Sequence, residues 1–314
     1  MSSRASLVVA LLLSLCACEP SAPGGSVPAD PAHDAARPEA PTPAAEMAAP
    51  VVAAERAFAA RHQQVSARTA WDEFSAEDGV DIGPVGVRSV KAAILDWPQD
   101  SPAGTIQWGP AVAGVARSGE LGFTSGPAIL DDGAAYSTYA TLWQKQPDGS
   151  WKWLIDLGSE PGPQDLGTPP AQPTVWSFAA AQDGGTMATL AHADAAIDQD
   201  TLTAHLAPGA RLMGAPLRAA DDAETWMAQM QARPALYASD HRGGGVSAAG
   251  DFGWTYGFLV PPIDPANDVT VAGKAASRVQ LGGYLRIWQH RADGWRILLD
   301  SSPRFPNPKP SSAP

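Results

Sequence analysis

The sequence predicts an α+β protein built from two tandem copies of one domain. A repeated segment is the first observation: TLWQKQPDGSWKWLID ends at Asp156, and LRIWQHRADGWRILLD ends at Asp300. The second is that one constant offset aligns Gly122 with Gly253 and keeps the neighbouring strands in step, which indicates duplication. Third, in each half a helical pattern, a short strand and a short helix precede a run of strands. That order is typical of helices packed on one antiparallel sheet.

The first copy is predicted to span residues 51–158. Apolar residues at helical spacing indicate a long helix over residues 51–74, which Gly79 ends. A short strand and a short helix follow at residues 80–85 and 90–97, and the helix ends before Pro98. The remaining predicted strands cover residues 105–115, 120–129, 136–144 and 151–157.

The second copy is predicted over residues 175–303, after a Pro- and Gly-rich linker at residues 159–174. Its helices cover residues 187–206 and 219–232. Its strands cover residues 210–214, 237–247, 251–260, 277–290 and 295–300, with an insertion at residues 261–276. Residues 304–314 form a loose Pro-rich tail.

The N-terminus has the pattern of an export signal. Arg4 precedes a short apolar run, LVVALLLSL, and residues 1–18 end in a motif that resembles a bacterial lipobox with Cys18 as the lipidated residue. The alternative is an ordinary secretory signal. Glu19 after Cys18 implies the periplasmic face of the outer membrane, reached through the N-terminal lipid. Residues 19–50, rich in Pro and Ala, predict a disordered tether.

Composition excludes several functional classes. The formal net charge of −12 argues against non-specific nucleic-acid binding. Both cysteines lie in the export signal, so the folded part is expected to have no disulfide. The sequence has no metal-ligand spacing, no GxSxG nucleophile motif and no phosphate-binding loop, and we expect neither a metal nor a cofactor.

Three segments carry a resemblance to a family: AERAFAARHQQ, LGFTSGPAIL and LWQKQPDGSWKWLIDLGS. The chain resembles the nuclear-transport-factor-2-like superfamily, in particular its SnoaL-like and uncharacterised secreted branch. The resemblance implies two cone-shaped domains, each with a long helix and short helices on a curved antiparallel sheet. It also implies a ligand cavity between the concave sheet face and the helices. This fold hosts isomerases, dehydratases, cyclases and non-catalytic modules, so the fold alone does not define a function.

Alternation along the strands predicts which side chains face that cavity. If the closing turn pairs Trp143 with Ile155 and Trp288 with Leu299, the aromatic residues lie on the concave face. The same pairing places the repeated acid of each hairpin, Asp156 or Asp300, on the outer face, together with Glu120 and Asp251. On the middle strands, Phe123 and Ser125 and their counterparts Trp254 and Tyr256 are expected on the concave face.

The candidate ligand-binding residues lie mostly in the second copy. Tyr256, Tyr284 and Arg286 are expected to converge, beside Trp254 and Trp226, on a carboxylate or another small anion. Tyr139, Trp143 and Trp108 line the corresponding space in the first copy and favour an apolar ligand. The alternative is aromatic filling of a core, with Arg286 at its rim. His241 is expected to be solvated.

Two functions follow from these patterns. The first is a non-catalytic module that binds a small molecule or takes part in assembly. The alternative is an isomerase, dehydratase or cyclase with its pocket in the second copy; it lacks a carboxylate base if the repeated acids face outward. Leu142, Leu154, Ile287 and Leu298 lie on the outer sheet faces, where the two copies can pair with each other within one chain as a pseudo-dimer.

Overall fold

A computed structural model of the chain describes residues 43–99, 102–159, 166–178, 184–198, 200–213, 238–261, 270–271, 274–275 and 280–305. The predicted export signal with Cys18, the predicted helix at residues 219–232 with Trp226, and residues 306–314 lie outside this part. Within it the protein is mixed α and β, with four α-helices and several sheets.

The first half of the chain contains three helices and eight strands among the described residues. The helices are α1 Pro43–His62, α2 Ala67–Phe74 and α3 Val90–Ile94. The strands are β1 Val80–Gly83, β2 Gly86–Ser89, β3 Ile106–Trp108, β4 Val112–Val115, β5 Leu121–Leu130, β6 Ala135–Lys145, β7 Trp151–Gly158 and β8 Thr174–Trp176. Ser66 caps α2, since its hydroxyl accepts a hydrogen bond from the backbone N–H of Thr69.

The described second half has one α-helix, α4 Met187–Ala195, and seven strands. The strands are β9 Leu206–Met213, β10 Ala238–Val246, β11 Phe252–Val260, β12 Thr270–Val271, β13 Lys274–Ala275, β14 Gly282–Arg291 and β15 Gly294–Ser301. Thr186 and Thr189 form a reciprocal capping box at the start of α4.

Two large sheets organise these elements. The first has the order β7-β6-β5-β4-β8, with β3 also paired to β5. The second has the order β10-β11-β14-β15-β9. Neighbouring strands are antiparallel except β4 with β8 and β9 with β15, which are parallel. The helices cover one face of each sheet: α1 packs on β4 and β5, and α4 packs on β10 and β11.

Several predicted elements differ in the structure. Helix α1 begins at Pro43, inside the segment predicted to be a disordered tether. The helix predicted over residues 51–74 is two helices, α1 and α2, and the strand predicted over residues 105–115 is two strands, β3 and β4. The long helix predicted at residues 187–206 ends at Ala195 and is followed by a 3-10 turn and β9. The Asp198 carboxylate accepts hydrogen bonds from the backbone N–H groups of Asp200 and Thr201, at 2.9 and 2.8 Å, and this local pairing competes with helix continuation.

A β-bulge in each closing hairpin overturns the predicted pairing. Trp143 pairs with Trp153, not Ile155, because Leu154 is an extra residue that shifts the register. Trp288 likewise pairs with Ile297, not Leu299. A shift of one residue moves every later side chain of the strand to the opposite face. Asp156 and Asp300 therefore face the helices.

The same register corrects the middle strands. Thr124 pairs with Thr141 and faces the helices, so Phe123 and Ser125 point to the other side of the first sheet. In the second sheet, Trp254 and Tyr256 pair with Ile287 and Leu285 and also lie on the face away from the helices.

The faces away from the helices belong to one hydrophobic core shared by both sheets. Phe123 of β5 and Phe252 of β11 lie with ring centroids 6.2 Å apart, and Phe178 contacts Phe252 at 5.1 Å. The four outward leucine and isoleucine side chains named above, at positions 142, 154, 287 and 298, are at most 5% exposed. The hydrophobic effect therefore stabilises the contact between the halves.

Hydrogen bonds at the turns join the same two sheets reciprocally. The backbone N–H of Arg117 donates to Asp251 at 3.0 Å, and the backbone N–H of Ala248 donates to Glu120 at 2.6 Å. Arg117 and Ala248 are equivalent under the repeat offset, and so are Glu120 and Asp251. Glu120 and Asp251 thus lie outside the helix-covered faces, as expected, and each accepts a hydrogen bond from the opposite half.

No helix in the described ranges is long and apolar enough to cross a membrane.

Candidate functional site

A cavity of about 310 Å³ lies on the helix-covered face of the first sheet. Three indole rings form walls of the cavity: Trp71 on α2, Trp97 after α3, and Trp108 on β3. Five residues with polar side chains also line the cavity: Ser137, Thr138, Tyr139, Asp156 and Ser159. The cavity therefore combines a mostly aromatic surface with a few polar groups, as small-molecule sites do.

The carboxylate of Asp156, near the end of β7, accepts two hydrogen bonds. Thr141 Oγ1 donates to Oδ1 at 2.8 Å, and Trp71 Nε1 donates to Oδ2 at 3.0 Å. Burial raises the pKa of Asp156 from its ordinary value of 3.8 to about 6, although both hydrogen bonds act to lower it. The side chain remains partly exposed. Asp156 is therefore a cavity-facing acid that changes charge near neutral pH.

Glu55 is a second acid, fully buried on α1 behind the cavity wall. Trp108 Nε1 donates to Oε1 at 2.6 Å, Trp143 Nε1 donates to Oε2 at 3.1 Å, and the Thr124 hydroxyl also donates to Oε2. Burial, and after it the charge of Asp156, raise the pKa of Glu55 from 4.5 to about 7. The two acids are coupled, because each ionised carboxylate disfavours ionisation of the other.

Tyr139 contributes a phenol to the same face. Its side chain is 6% exposed, and its hydroxyl is enclosed beside Thr124. Burial, and then the charges of Glu55 and Asp156, raise the pKa of Tyr139 well above 10, although Thr124 acts to lower it. The phenol therefore keeps its proton near neutral pH.

An aromatic cluster supports these groups. Phe58 of α1 contacts Trp71 edge-on, with ring centroids 4.7 Å apart, and Trp108 at 5.1 Å. His62 follows Phe58 by about one turn of α1, and its ring centroid lies 5.3 Å from that of Trp71 and 5.6 Å from that of Trp108. Burial lowers the pKa of His62, so its ring is neutral near pH 7. The cluster holds the indole walls in fixed orientations.

The second half carries an equivalent arrangement in which a cation occupies the centre. Arg286 stands where the first half has Thr141. Its Nη1 donates to Asp194 Oδ1 at 2.8 Å, and its Nε donates to Asp300 Oδ2 at 2.8 Å. All three side chains are 0% exposed. The guanidinium also lies over the Tyr284 ring, 4.2 Å from its centroid, and Tyr284 is the counterpart of Tyr139.

The guanidinium of Arg286 lowers the pKa of the helix acid in the second half, whereas the pKa of the helix acid in the first half is raised. Burial acts to raise the pKa of Asp194, but Arg286 and hydrogen bonds from His241 and Tyr284 lower it to about 2. Asp194 is therefore ionised and neutralised by a partner of its own chain. Glu55 and Asp156 form no ion pair with a Lys or Arg in the described part of the first half.

The structure separates the residues that sequence analysis grouped as one pocket. Tyr284 and Arg286 do meet, but Tyr256 and Trp254 lie on the opposite sheet face and stack on each other at 5.9 Å. His241 is not simply solvated, since its Nδ1 lies 2.8 Å from Asp194 Oδ2. Trp226 lies outside the described residues.

In the first half, Trp108 and Tyr139 line the cavity. Trp143 is fully buried behind it and donates to Glu55.

Sequence analysis missed Glu55 and Asp194 and misplaced Asp156. A usable signal for Glu55 was its position on the apolar stripe of α1, between Val51 and Phe58 at helical spacing. Asp194 likewise follows buried Leu190 by one helical turn. An acid inside an apolar stripe is rarely a solvated residue.

No family model and no curated protein matches the chain. Within the described residues, no group of three or more His, Cys, Asp or Glu side chains is arranged to hold a metal ion.

Proposed function

We propose that this chain is an exported, lipid-anchored protein whose first half binds a small, mostly apolar molecule. The observation that carries the proposal is the cavity of about 310 Å³, lined by three indole rings and by Asp156, whose side chain is partly exposed. A concave, mostly aromatic surface with few polar groups is typical of small-molecule sites.

The experiment compares ligand binding by the mature chain and two variants. Trp97→Ala removes one cavity wall, and Leu95→Ala is a matched control two residues away whose side chain is 65% exposed and outside the cavity. In a thermal-shift screen of small aromatic and aliphatic compounds, we expect hits with the unmodified chain and the control but not with Trp97→Ala. A screen without hits, or hits that Trp97→Ala retains, would contradict this proposal.

A specific observation also favours a second candidate, a proton-transfer enzyme. Asp156 faces the cavity with a pKa of about 6, which suits a general base near neutral pH. The proton of a C–H group next to a carbonyl would pass to the Asp156 carboxylate and then return to another atom of the resulting enolate. The isomerase, dehydratase or cyclase chemistry expected for the second half is thus proposed for the first. In the second half, Arg286 pairs with both acids.

Deuterium exchange separates catalysis from binding. A carbonyl compound that binds in the screen should exchange its α-hydrogens in D₂O faster with the unmodified chain than with Asp156→Asn. Exchange that is the same with both proteins would reject Asp156 as a base and leave the binding proposal standing.

We further propose that the two halves are tandem cone-shaped domains of the nuclear-transport-factor-2-like superfamily that pair within one chain. The shared core and the reciprocal bonds of Arg117 to Asp251 and of Ala248 to Glu120 support this pairing. Sedimentation of the lipid-free chain should give a monomer mass. A stable homodimer would instead indicate pairing between chains.

Membrane attachment is proposed to run through Cys18, on the periplasmic face of the outer membrane. Replacing Cys18 with Ser should prevent lipid incorporation and release the protein into the soluble periplasmic fraction. If Cys18→Ser remained in the outer-membrane fraction, the anchor would lie elsewhere.

A further inference from the structure

The cavity walls are polarised by the two acids. Trp71 donates its indole N–H to Asp156, and Trp108 donates its indole N–H to Glu55. The two rings lie 5.4 Å apart at 48°, and Trp97 lies 5.8 Å from Trp71 at 56°. An indole face attracts cations, and a hydrogen bond from the ring N–H to a carboxylate leaves the ring richer in electrons. The walls are thus suited to a positive group.

Asp156 has no ion pair among the described residues of the first half, and no cation contributes to its pKa. Two cations lie near the cavity without bonding to Asp156: Arg56 donates to the backbone oxygen of Ala171 at 2.5 Å, and Arg68 donates to that of Trp97 at 3.2 Å. Tyr139 and His62 are neutral near pH 7. Ionised Asp156 therefore adds a negative charge to an aromatic cavity.

The second half shows what this arrangement accommodates. There the guanidinium of Arg286 lies between the helix acid and the strand acid, against the face of the equivalent tyrosine. In the first half Thr141 is fully buried at the position of Arg286, and Trp71 donates to the strand acid instead. Asp156 also lines the cavity. In one half, therefore, a pair of acids of this kind holds a cation, and in the other half the equivalent strand acid lines a cavity.

We propose that the first-half cavity binds a small organic cation, an ammonium group on a compact apolar body, with its charge between Asp156 and the indole faces. This inference rests on the proposed binding function and names the ligand class. A volume of about 310 Å³ is at the lower end of the usual range for small-molecule pockets, which favours a compact ligand.

The test compares choline with its neutral isostere 3,3-dimethylbutan-1-ol, by calorimetric titration of the mature chain at pH 7.5. We expect choline to bind at least about tenfold more tightly, because a desolvated cation–π contact beside a carboxylate favours the charged probe over its neutral isostere. Asp156→Asn should reduce the preference for choline, because it removes the negative charge. The cavity should keep its shape, since the Asn side chain can still accept from Trp71 and donate to Thr141. Leu95→Ala should preserve it.

Proton linkage gives a second readout that needs no variant. A cation beside Asp156 and Glu55 lowers their pKa values, so choline binding at pH 6 should release protons. A neutral molecule that buries Asp156 raises its pKa and takes protons up. Titrations in two buffers of different ionisation enthalpy distinguish the signs.

Each other outcome has a defined meaning. Equal binding of both probes, tighter binding of the alcohol, or proton uptake with choline would overturn the cation inference and leave the binding function intact. Compounds that bind in the thermal-shift screen while choline does not would do the same. A cavity that binds no compound at all would overturn the proposed function itself.

Discussion

Replacing Asp156 with Asn should stabilise the protein at alkaline pH. The carboxyl lies in the cavity wall without a cationic partner among the described residues, and burial raises its pKa from 3.8 to about 6. Asn has nearly the same shape and can accept from Trp71 while donating to Thr141. The substitution therefore removes the charge and preserves the packing.

The magnitude follows from linkage. For an acid whose pKa is raised by folding, the folded protein keeps its proton where the unfolded chain has lost it. Stability therefore falls as the pH rises from about 4 through 6, and the loss is complete above pH 7. The difference between 3.8 and about 6 corresponds to about 3 kcal/mol. This is an upper limit, because the side chain is partly exposed to solvent screening.

Urea denaturation at pH 4.5 and pH 8 measures the effect. The free energy of unfolding of Asp156→Asn should exceed that of the unmodified chain by up to about 1 kcal/mol at pH 4.5 and by up to about 3 kcal/mol at pH 8. Asp148→Asn is the control, since Asp148 lies in the exposed turn of the same hairpin and its pKa is lowered by Ser150. A gap that does not grow with pH, or a variant less stable at pH 8, would refute the reasoning.

Two further substitutions probe the second half and the contact between the sheets. Arg286→Met leaves Asp194 and Asp300 buried without their cation and should lower the free energy of unfolding by about 3–5 kcal/mol in chemical denaturation. The control Arg242→Met, at an exposed pair with Asp240, should lower it by less than about 1 kcal/mol. Equal losses for the two variants would contradict the arrangement. Phe252→Ala opens the shared core and should lower the free energy of unfolding by about 3–5 kcal/mol in one cooperative transition, while a loss below about 1 kcal/mol would contradict a sealed core.

The order of elements was accessible from the sequence because period-two alternation and Asp-Gly turns are local signals. Strands β5, β6, β7, β10 and β11 lie within one or two residues of their predicted bounds. The parallel pairing of β9 with β15 was not predicted, since no local pattern identifies a distant partner strand. The shortened α4 depended on one competing turn at Asp198.

The site was misjudged through a single extra residue. Leu154 forms the bulge in β7, and nothing in a run of apolar residues marks which one is extra. Both faces of the sheet are buried, one by helices and one by the other sheet, so alternation lost its polar contrast. The sequence pattern therefore placed Asp156 on the outer face and favoured Arg286 as the ligand-binding residue. The copies do differ at positions 141 and 286, but the open cavity belongs to the half with Thr141.

The central claim is that the first-half cavity is the functional site and that Arg286 fills the equivalent space in the second half. Measuring choline binding by the Thr141→Arg variant tests this claim most directly. An arginine here should pair with Asp156 and Glu55 and occupy the cavity, as Arg286 does between Asp194 and Asp300. We expect choline binding to be lost while the variant, shown to be folded by its denaturation curve, becomes more stable at pH 8. A folded Thr141→Arg variant that binds choline as the unmodified chain does would contradict the account.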